Sequence, residues 1–226
     1  MLPGFALSPH VYRGTAELLA SRGGFRVVMP EIYRVSGSWT CEAVTDGLLA
    51  AIDHEHFARV TMIAHSFSGA VQLEFATRWP DRIVELVFAD TLAARREWPL
   101  AREAMRHPLR LLRMATPRAA ASFDRTVLTH PRDIAQAAWW GFTNGRTAES
   151  AQIVEDGIPA HVVWANRDSI LRRDDGRAFA AELGASFDVV REPSGGPIDH
   201  DWMYRHPALF VDNLEALHLK AWNAGT

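Results

Sequence analysis

The stretch Val60-Thr61-Met62-Ile63-Ala64-His65-Ser66-Phe67-Ser68-Gly69 decides the fold of this chain. Its first half is a short apolar run with β-branched residues, which favours a buried strand. Its second half changes abruptly to small residues and continues into Ala70-Val71-Gln72-Leu73-Glu74-Phe75-Ala76, a sequence typical of a helix. The pattern therefore predicts a strand, a sharp turn and a helix, with Ser66 at the apex of the turn.

Ser66 is a candidate nucleophile because of this position. A serine on such a turn projects its hydroxyl beyond the sheet edge, and the residues two before and two after it must be small, since the turn brings them close together. Ala64 and Ser68 meet that requirement. A serine between a strand and a helix can also be a simple N-cap. The stretch alone leaves both interpretations open.

The same residues resemble the nucleophile elbow of the α/β-hydrolase fold superfamily, which is written G-x-S-x-G. Here the motif reads Ala64-His65-Ser66-Phe67-Ser68, with both glycines replaced by the next smallest residues. The resemblance covers nearly the whole chain, from Leu2 to Leu219. It implies that Ser66 is the nucleophile.

Composition limits the class of protein. The chain has 226 residues, of which 48% are hydrophobic, enough for one domain with a large core. A net charge of −3 without a basic run does not indicate nucleic acid or a membrane surface as partner. The single cysteine, the lack of a leader pattern and the lack of an apolar stretch of about 18 residues predict a cytoplasmic protein. We expect a small-molecule substrate; the sequence leaves the oligomeric state open.

Alternating strands and helices predict an α/β fold with a doubly wound, mostly parallel sheet. The predicted helices run from Pro9 to about Ser21, from Cys41 to about His54, from Asp175 to Leu183 and from Pro207 to about Leu219. The predicted strands are Phe25–Met29, Val60–Ala64, Ile83–Phe88, Ala160–Ala165 and Phe187–Val190.

Residues 92–157 interrupt this alternation and are predicted to form an inserted helical cap between core segments 1–91 and 158–226. The segment is rich in Ala, Arg and Leu and is broken by prolines. Its arginines favour a solvated helix face over an anion site; they stand at positions 95, 96, 102, 106, 110, 113 and 118. Its aromatic residues could form the core of the cap or line a pocket: Trp98, Trp139, Trp140 and Phe142. We predict Trp139 and Trp140 as substrate-binding residues.

The partners of a nucleophilic serine are a histidine that takes its proton and a carboxylate that orients the histidine. The resemblance implies the order Ser, acid, His, with the acid after the penultimate strand and the histidine after the last. Asp168 and His200 stand at those places. Asp90, after an earlier strand, is an alternative acid. We favour Asp168 because Asn-Arg-Asp at residues 166–168 matches the acid turn of the superfamily.

A metal centre is the alternative interpretation of His200, which lies between Asp199 and Asp201. Adjacent residues alternate in direction and cannot all converge on one ion. We therefore predict neither a metal nor a cofactor. Three further histidines are expected to be surface or supporting groups: His54, His56 and His65.

An oxyanion hole needs two N–H donors directed at the developing negative charge. Phe67, directly after the nucleophile, would supply one. By resemblance the other comes from the loop before the first helix, where Pro3-Gly4-Phe5 stands. We assign it to the Phe5 backbone, with Ala6 as the open alternative.

These residues and the resemblance together predict a serine hydrolase that cleaves an ester, lactone, amide or related acyl bond through an acyl-enzyme on Ser66. The sequence does not separate this function from the C–C bond hydrolases, cofactor-free haloperoxidases and hydroxynitrile lyases of the superfamily, which share the Ser-His-Asp set. The alternative is a non-catalytic or N-terminally truncated, inactive member of the fold that acts as a binding protein. In the superfamily a strand precedes the oxyanion loop and lies between the partners that match Phe25–Met29 and Val60–Ala64. Only Met1 and Leu2 precede Pro3 here. We therefore expect the N-terminal strands to be missing and the oxyanion loop to be the weakest part.

Overall fold

A four-stranded parallel sheet forms the centre of the fold. The computed structural model describes residues 1–35, 37–94, 117–143 and 147–217. The strands are β1 (Val60–His65), β2 (Ile83–Ala89), β3 (Ala160–Ala165) and β4 (Ser186–Val190), in the order β1-β2-β3-β4. Every neighbouring pair is parallel. Parallel neighbours need crossover connections, and the helices between the strands supply them.

Helices precede, connect and follow the strands. They are α1 (Arg13–Gly23), α2 (Cys41–His54), α3 (Ser68–Arg78), α4 (Pro117–Thr129), α5 (Pro131–Thr143), α6 (Thr147–Glu155), α7 (Arg173–Glu182), α8 (Trp202–Arg205) and α9 (Pro207–Ala216). A 3-10 turn, Pro9–Tyr12, leads into α1, and the Ser8 hydroxyl accepts a hydrogen bond from the His10 N–H. Within the described ranges, no helix is long and apolar enough to cross a membrane.

Both faces of the sheet are covered, as a doubly wound fold requires. Along β2, Leu86 and Phe88 face one core, while Val87 and Ala89 face the other. The first core contains residues of α2, α3 and α7, and the second contains residues of α1 and α9. This alternation confirms the predicted fold class.

The prediction of a strand at Phe25–Met29 is wrong, because this segment is irregular and none of its residues is fully buried. It lies beside a cavity of about 290 Å³ whose lining includes Val27, Val28 and residues of β1. On the β1 side of this cavity, Leu2 forms an isolated bridge to Ala64, with no longer ladder among the described residues. A strand needs a continuous ladder of hydrogen bonds, and the Met1 amino group supplies one bond, 2.7 Å long, to the Val28 carbonyl. The expectation of an absent N-terminal segment stays a prediction.

Helices α4, α5 and α6 lie within the proposed cap. α6 packs against α3, and α5 is tied to the core because the Gln136 side chain accepts a hydrogen bond of 2.9 Å from the Trp39 N–H. The Ser122 hydroxyl of α4 similarly accepts from the Ser8 N–H at 2.8 Å. Most of the predicted arginine face and Trp98 lie outside the described residues, as do the side chains of Arg118 and Phe142.

Candidate active site

A polar residue follows each of the four strands on the same edge of the sheet. Ser66 comes directly after β1, Asp90 directly after β2, Asp168 in the loop after β3 and His200 in the loop after β4. Because the carboxyl ends of parallel strands share one edge, the topology gathers these four side chains. All three residues proposed from sequence for the triad lie here.

Ser66 occupies the sharp turn that the sequence predicts. Its φ of 56° lies in the left-handed region, where a residue other than glycine is uncommon. The Ser66 N–H donates to the Ala89 carbonyl at 3.0 Å, and the Ser66 carbonyl accepts from the Leu92 N–H at 2.8 Å. The neighbours Ala64 and Ser68 are fully buried. The turn is therefore held by the strand beside it, and the small residues fit beneath it.

Ser66, His200 and Asp168 form one chain of hydrogen bonds. His200 Nε2 lies 2.9 Å from Ser66 Oγ, and His200 Nδ1 lies 2.8 Å from Asp168 Oδ2. The other Asp168 oxygen accepts from the N–H groups of Ile170 and Leu171, at 2.7 and 2.8 Å. These bonds orient the carboxylate, which in turn fixes the imidazole.

The charges of His200 and Asp168 stabilise each other. Burial alone would lower the pKa of His200, but the adjacent Asp168 carboxylate raises it from 6.5 to about 9. Burial alone would raise the pKa of Asp168, but the charge of His200 and the hydrogen bonds to its oxygens lower it below its usual value. The pair therefore favours an imidazolium next to a carboxylate, the charge state in which a histidine has accepted a proton.

Asp90 lies close to the triad residues but serves other partners. It is fully buried. Its Oδ1 accepts from the Ala165 N–H at 2.8 Å, and its Oδ2 accepts from the Trp202 indole N–H. Burial, followed by the nearby charge of Asp168, raises the pKa of Asp90 well above its usual value. In this geometry Asp168, and not Asp90, orients His200.

The geometry distinguishes the two candidates for the second oxyanion donor. The Ala6 N–H already donates to the Tyr33 hydroxyl at 2.9 Å. Among the described residues, the N–H groups of Phe5 and Phe67 have no hydrogen-bond acceptor. The Phe5 and Phe67 rings are 5.4 Å apart, so the two residues are neighbours. The arrangement favours Phe5 over Ala6.

Sequence reasoning missed the groups that hold residues 3–6, the loop predicted to supply an oxyanion donor and called the oxyanion loop below. The Tyr12 hydroxyl accepts from the Gly4 N–H at 2.9 Å, and the Ser68 hydroxyl donates to the Pro3 carbonyl. His65, expected as a surface or supporting group, is 2% exposed and bonds to Tyr12. No sequence pattern marks a buried tyrosine as polar support, because an aromatic residue in this position is equally compatible with core packing.

The two tryptophans predicted to bind substrate lie in different surroundings. Trp140 packs against Phe67 and Trp39, with ring centroids 6.0 and 5.6 Å apart. Both tryptophans border an open groove of about 510 Å³, but Trp139 is 72% exposed. Only Trp140 is therefore placed next to the residue that follows the nucleophile.

Three groups that could ligate a metal, His65, Asp90 and His200, have atoms within 4.8 Å of one another. Each is already engaged: both nitrogens of each histidine and both oxygens of Asp90 have protein hydrogen-bond partners. A metal would have to displace several buried hydrogen bonds. The cluster is better suited to hydrogen bonding than to metal ligation.

Comparisons with known proteins identify the class. The model of the alpha/beta hydrolase family matches residues 1–213, and the chain belongs to this family. Uncharacterized protein Rv2715 of Mycobacterium tuberculosis is 24% identical to it over 264 residues, which cover 95% of this chain and 73% of that protein.

Solved structures share the fold. A thermophilic esterase from Thermogutta terrifontis superposes with a TM-score of 0.75 at 20% identity, covering 97% of this chain and 88% of the esterase. Bromoperoxidase from Bacillus anthracis gives a TM-score of 0.75 at 14% identity, covering 95% of this chain and 89% of that chain. Family membership supports a hydrolase that acts on small molecules.

Proposed function

We propose that this protein is a serine hydrolase that cleaves a carboxylic ester or related acyl bond of a small molecule. The observation that carries the proposal is the continuous hydrogen-bonded chain from Ser66 through His200 to Asp168. This is the arrangement in which a weakly nucleophilic hydroxyl gains a base and the base gains an orienting carboxylate.

In the proposed reaction Ser66 Oγ attacks the acyl carbon while His200 Nε2 takes the hydroxyl proton. The carbonyl oxygen becomes negatively charged and accepts hydrogen bonds from the N–H groups of Phe5 and Phe67. Asp168 retains its charge and stabilises the imidazolium. Collapse of the tetrahedral intermediate breaks the bond to the leaving group, which takes the proton from His200 and departs, leaving an acyl-enzyme on Ser66.

Water completes the cycle. His200 removes a proton from a water molecule, whose oxygen attacks the acyl carbon and forms a second tetrahedral intermediate. That intermediate releases the carboxylic acid, and the proton returns from His200 to Ser66 Oγ. His200 performs every proton transfer of both half-reactions, so the proposed cycle needs no second acid or base.

Aromatic side chains beside the nucleophile favour an apolar acyl group. Phe5, Phe67, Trp39 and Trp140 form a contiguous cluster with ring centroids 5.4 to 6.1 Å apart. Trp39 and Phe67 are each 2% exposed, so the partly exposed Phe5 and Trp140 are the rings of this cluster that an acyl group can contact. The esterase from Thermogutta terrifontis shares the fold and so supports ester hydrolysis by analogy.

A panel of p-nitrophenyl esters of increasing chain length tests the proposal. The parent protein should hydrolyse at least one ester, and Ser66→Ala and His200→Ala should each lose nearly all activity, with effects that do not add in the double variant. His54→Ala, at an exposed position of α2, is the matched control and should match the parent. No turnover by the parent across the panel would favour the alternative, a non-catalytic binding protein.

A further inference from the structure

A second chain of hydrogen bonds runs behind the nucleophile and is buried throughout. The Gly4 N–H lies 2.9 Å from the Tyr12 hydroxyl, that hydroxyl lies 2.7 Å from His65 Nδ1, and His65 Nε2 lies 2.8 Å from the His200 carbonyl. Tyr12 is 1% exposed, His65 2% and His200 4%. The chain joins the oxyanion loop to the main chain of the proposed base.

The direction of each bond follows from the chemistry of its groups. A carbonyl only accepts, so His65 Nε2 must carry a hydrogen and donate it to His200. In a neutral imidazole the other nitrogen then accepts, so the Tyr12 hydroxyl donates to His65 Nδ1 while it accepts from the Gly4 N–H. One tautomer satisfies all four groups. A protonated His65 would place an N–H against a hydroxyl that already accepts another N–H.

His65 also contacts the base through its ring. The ring centroids of His65 and His200 are 4.8 Å apart with an interplanar angle of 42°. A Cβ atom on Gly4 would lie 3.0 Å from His65 Nδ1, so the oxyanion loop passes directly over the imidazole. The His65 side chain therefore contacts both the oxyanion loop and His200. These are the two parts of the site whose positions relative to Ser66 must be fixed.

We propose that His65 is a positioning residue that fixes the main chain of His200 and, through Tyr12, the oxyanion loop relative to Ser66. The inference rests on the proposed serine-hydrolase function. The His65 side chain does not take part in the proton transfers. His65 acts by keeping His200 Nε2 aimed at Ser66 Oγ and the Phe5 N–H aimed at the oxyanion.

The environment of His65 suits this role. Burial, followed by the charge of His200, lowers the pKa of His65 from 6.5 to about 3, so the ring stays neutral and keeps the single tautomer. Ionisation would add a second positive charge next to the imidazolium that forms on His200 during the reaction. A neutral histidine supplies one donor and one acceptor without competing for the proton.

The test compares His65→Leu, which removes both hydrogen bonds, with His65→Gln, whose amide can still donate to the His200 carbonyl. For the ester that the parent hydrolyses best, His65→Leu should lower kcat about 10- to 100-fold and change KM by less than about threefold. His65→Gln should recover most of kcat. His54→Leu, at an exposed position, is the control and should equal the parent.

A spectroscopic measurement keeps the test independent of turnover. The proton on His200 Nδ1, bonded to Asp168 at 2.8 Å, should give a far-downfield proton NMR signal in the parent. We expect that signal to shift or broaden in His65→Leu and to remain in His65→Gln. Tyr12→Phe, which removes only the hydroxyl, should lower kcat less than His65→Leu and serves if the leucine variant does not fold.

The outcomes separate this inference from the proposed function. A parent that hydrolyses none of the esters contradicts the proposed function, and the NMR comparison then decides the positioning role by itself. An active parent with unchanged kcat and unchanged signal in His65→Leu and Tyr12→Phe overturns the role of His65. Equal losses in the leucine and glutamine variants also overturn it, because hydrogen bonding would then not be what matters.

Discussion

At the scale of single residues, the charge of His200 depends on the carboxylate of Asp168 beside it. His200 is almost fully buried, yet its pKa is raised to about 9, because Asp168 opposes the effect of burial. The sequence predicts this pair because the loops that carry Asp168 and His200 resemble the corresponding loops of the α/β-hydrolase superfamily. It does not predict that Asp90, equally buried and close by, is committed to Ala165 and Trp202, since those contacts depend on the complete fold.

The Asp168→Asn variant should keep a small fraction of activity and change its pH dependence. A base must be neutral to act, so kcat/KM of the parent should rise with pH through about 9. Without the carboxylate the pKa of His200 should fall, and the acid limb should move to lower pH. The measurement is the pH profile of kcat/KM on a p-nitrophenyl ester.

Asp90→Asn is the matched comparison for this prediction, because it replaces a carboxyl group that is buried as deeply as Asp168 without touching the hydrogen bond between His200 and Asp168. It should keep more activity than Asp168→Asn. Full activity in Asp168→Asn together with an inactive Asp90→Asn would move the role of the acid to Asp90.

The same ion pair should make stability depend on pH. The raised pKa of His200 contributes stability below pH 6.5 that is lost as pH rises through about 9, while the lowered pKa of Asp168 contributes stability above pH 3.8 that is lost on acidification. The thermal midpoint of the parent should therefore exceed that of Asp168→Asn most between about pH 4 and 6.5. A gap that widens from pH 6 to pH 10 would contradict this assignment.

At the scale of elements, the turn from β1 into α3 depends on how closely α3 approaches the end of β2. Gly69 lies in the first turn of α3, and a Cβ atom there would overlap the Thr91 hydroxyl and lie 2.8 Å from Thr91 Cβ. The close approach places Ser66 at the sheet edge. A glycine is therefore needed at this position for packing and not for its backbone angles.

Gly69→Ala should destabilise the protein by about 1–3 kcal/mol and displace the elbow. Gly47→Ala is the control, because Gly47 lies in the interior of α2, is exposed and has open space around its Cβ position; it should stabilise the protein by up to about 1 kcal/mol. Urea denaturation followed by circular dichroism measures both changes. Equal effects of the two substitutions would show that α3 can move away without cost.

Most elements follow from local sequence, and the exception has a physical cause. The sequence predicts Cys41–His54 and Ala160–Ala165 with the bounds observed, because apolar residues at helical spacing mark the helix and an apolar run marks the strand. Phe25–Met29 has an equally strand-like sequence but lacks a continuous neighbour, so it borders a cavity instead. Composition shows that a segment is suited to a sheet, but whether a neighbour pairs with it depends on the rest of the fold.

At the scale of the whole molecule, the proposed cap at residues 92–157 contributes a wall beside the nucleophile. Trp140 of α5 packs against Phe67, and a Cβ atom on Gly141 would lie 2.7 Å from the Phe67 ring. The sequence predicts aromatic residues in the cap but does not separate Trp139 from Trp140. Adjacent residues of a helix point in different directions, and which of them faces the core depends on how the helix packs.

Trp140→Ala should change the relative rates across the ester panel, because it removes one wall of the aromatic cluster next to Phe67. Trp139→Ala should leave these ratios unchanged, since its side chain is mostly exposed. The preserved chemistry of both variants can be checked by their labelling with a fluorophosphonate. Unchanged ratios in Trp140→Ala would remove the cap residue from substrate selection.

In the proposed function, His200 and Asp168 activate Ser66 as a nucleophile. The most direct measurement is mass spectrometry of peptides from protein treated with a fluorophosphonate, which bonds covalently to activated serines. We predict a single stoichiometric adduct on the peptide that contains Ser66, formed much more slowly in His200→Ala and absent in Ser66→Ala. No adduct on the Ser66 peptide of the folded parent, or equally rapid labelling in His200→Ala, would show that His200 does not activate Ser66.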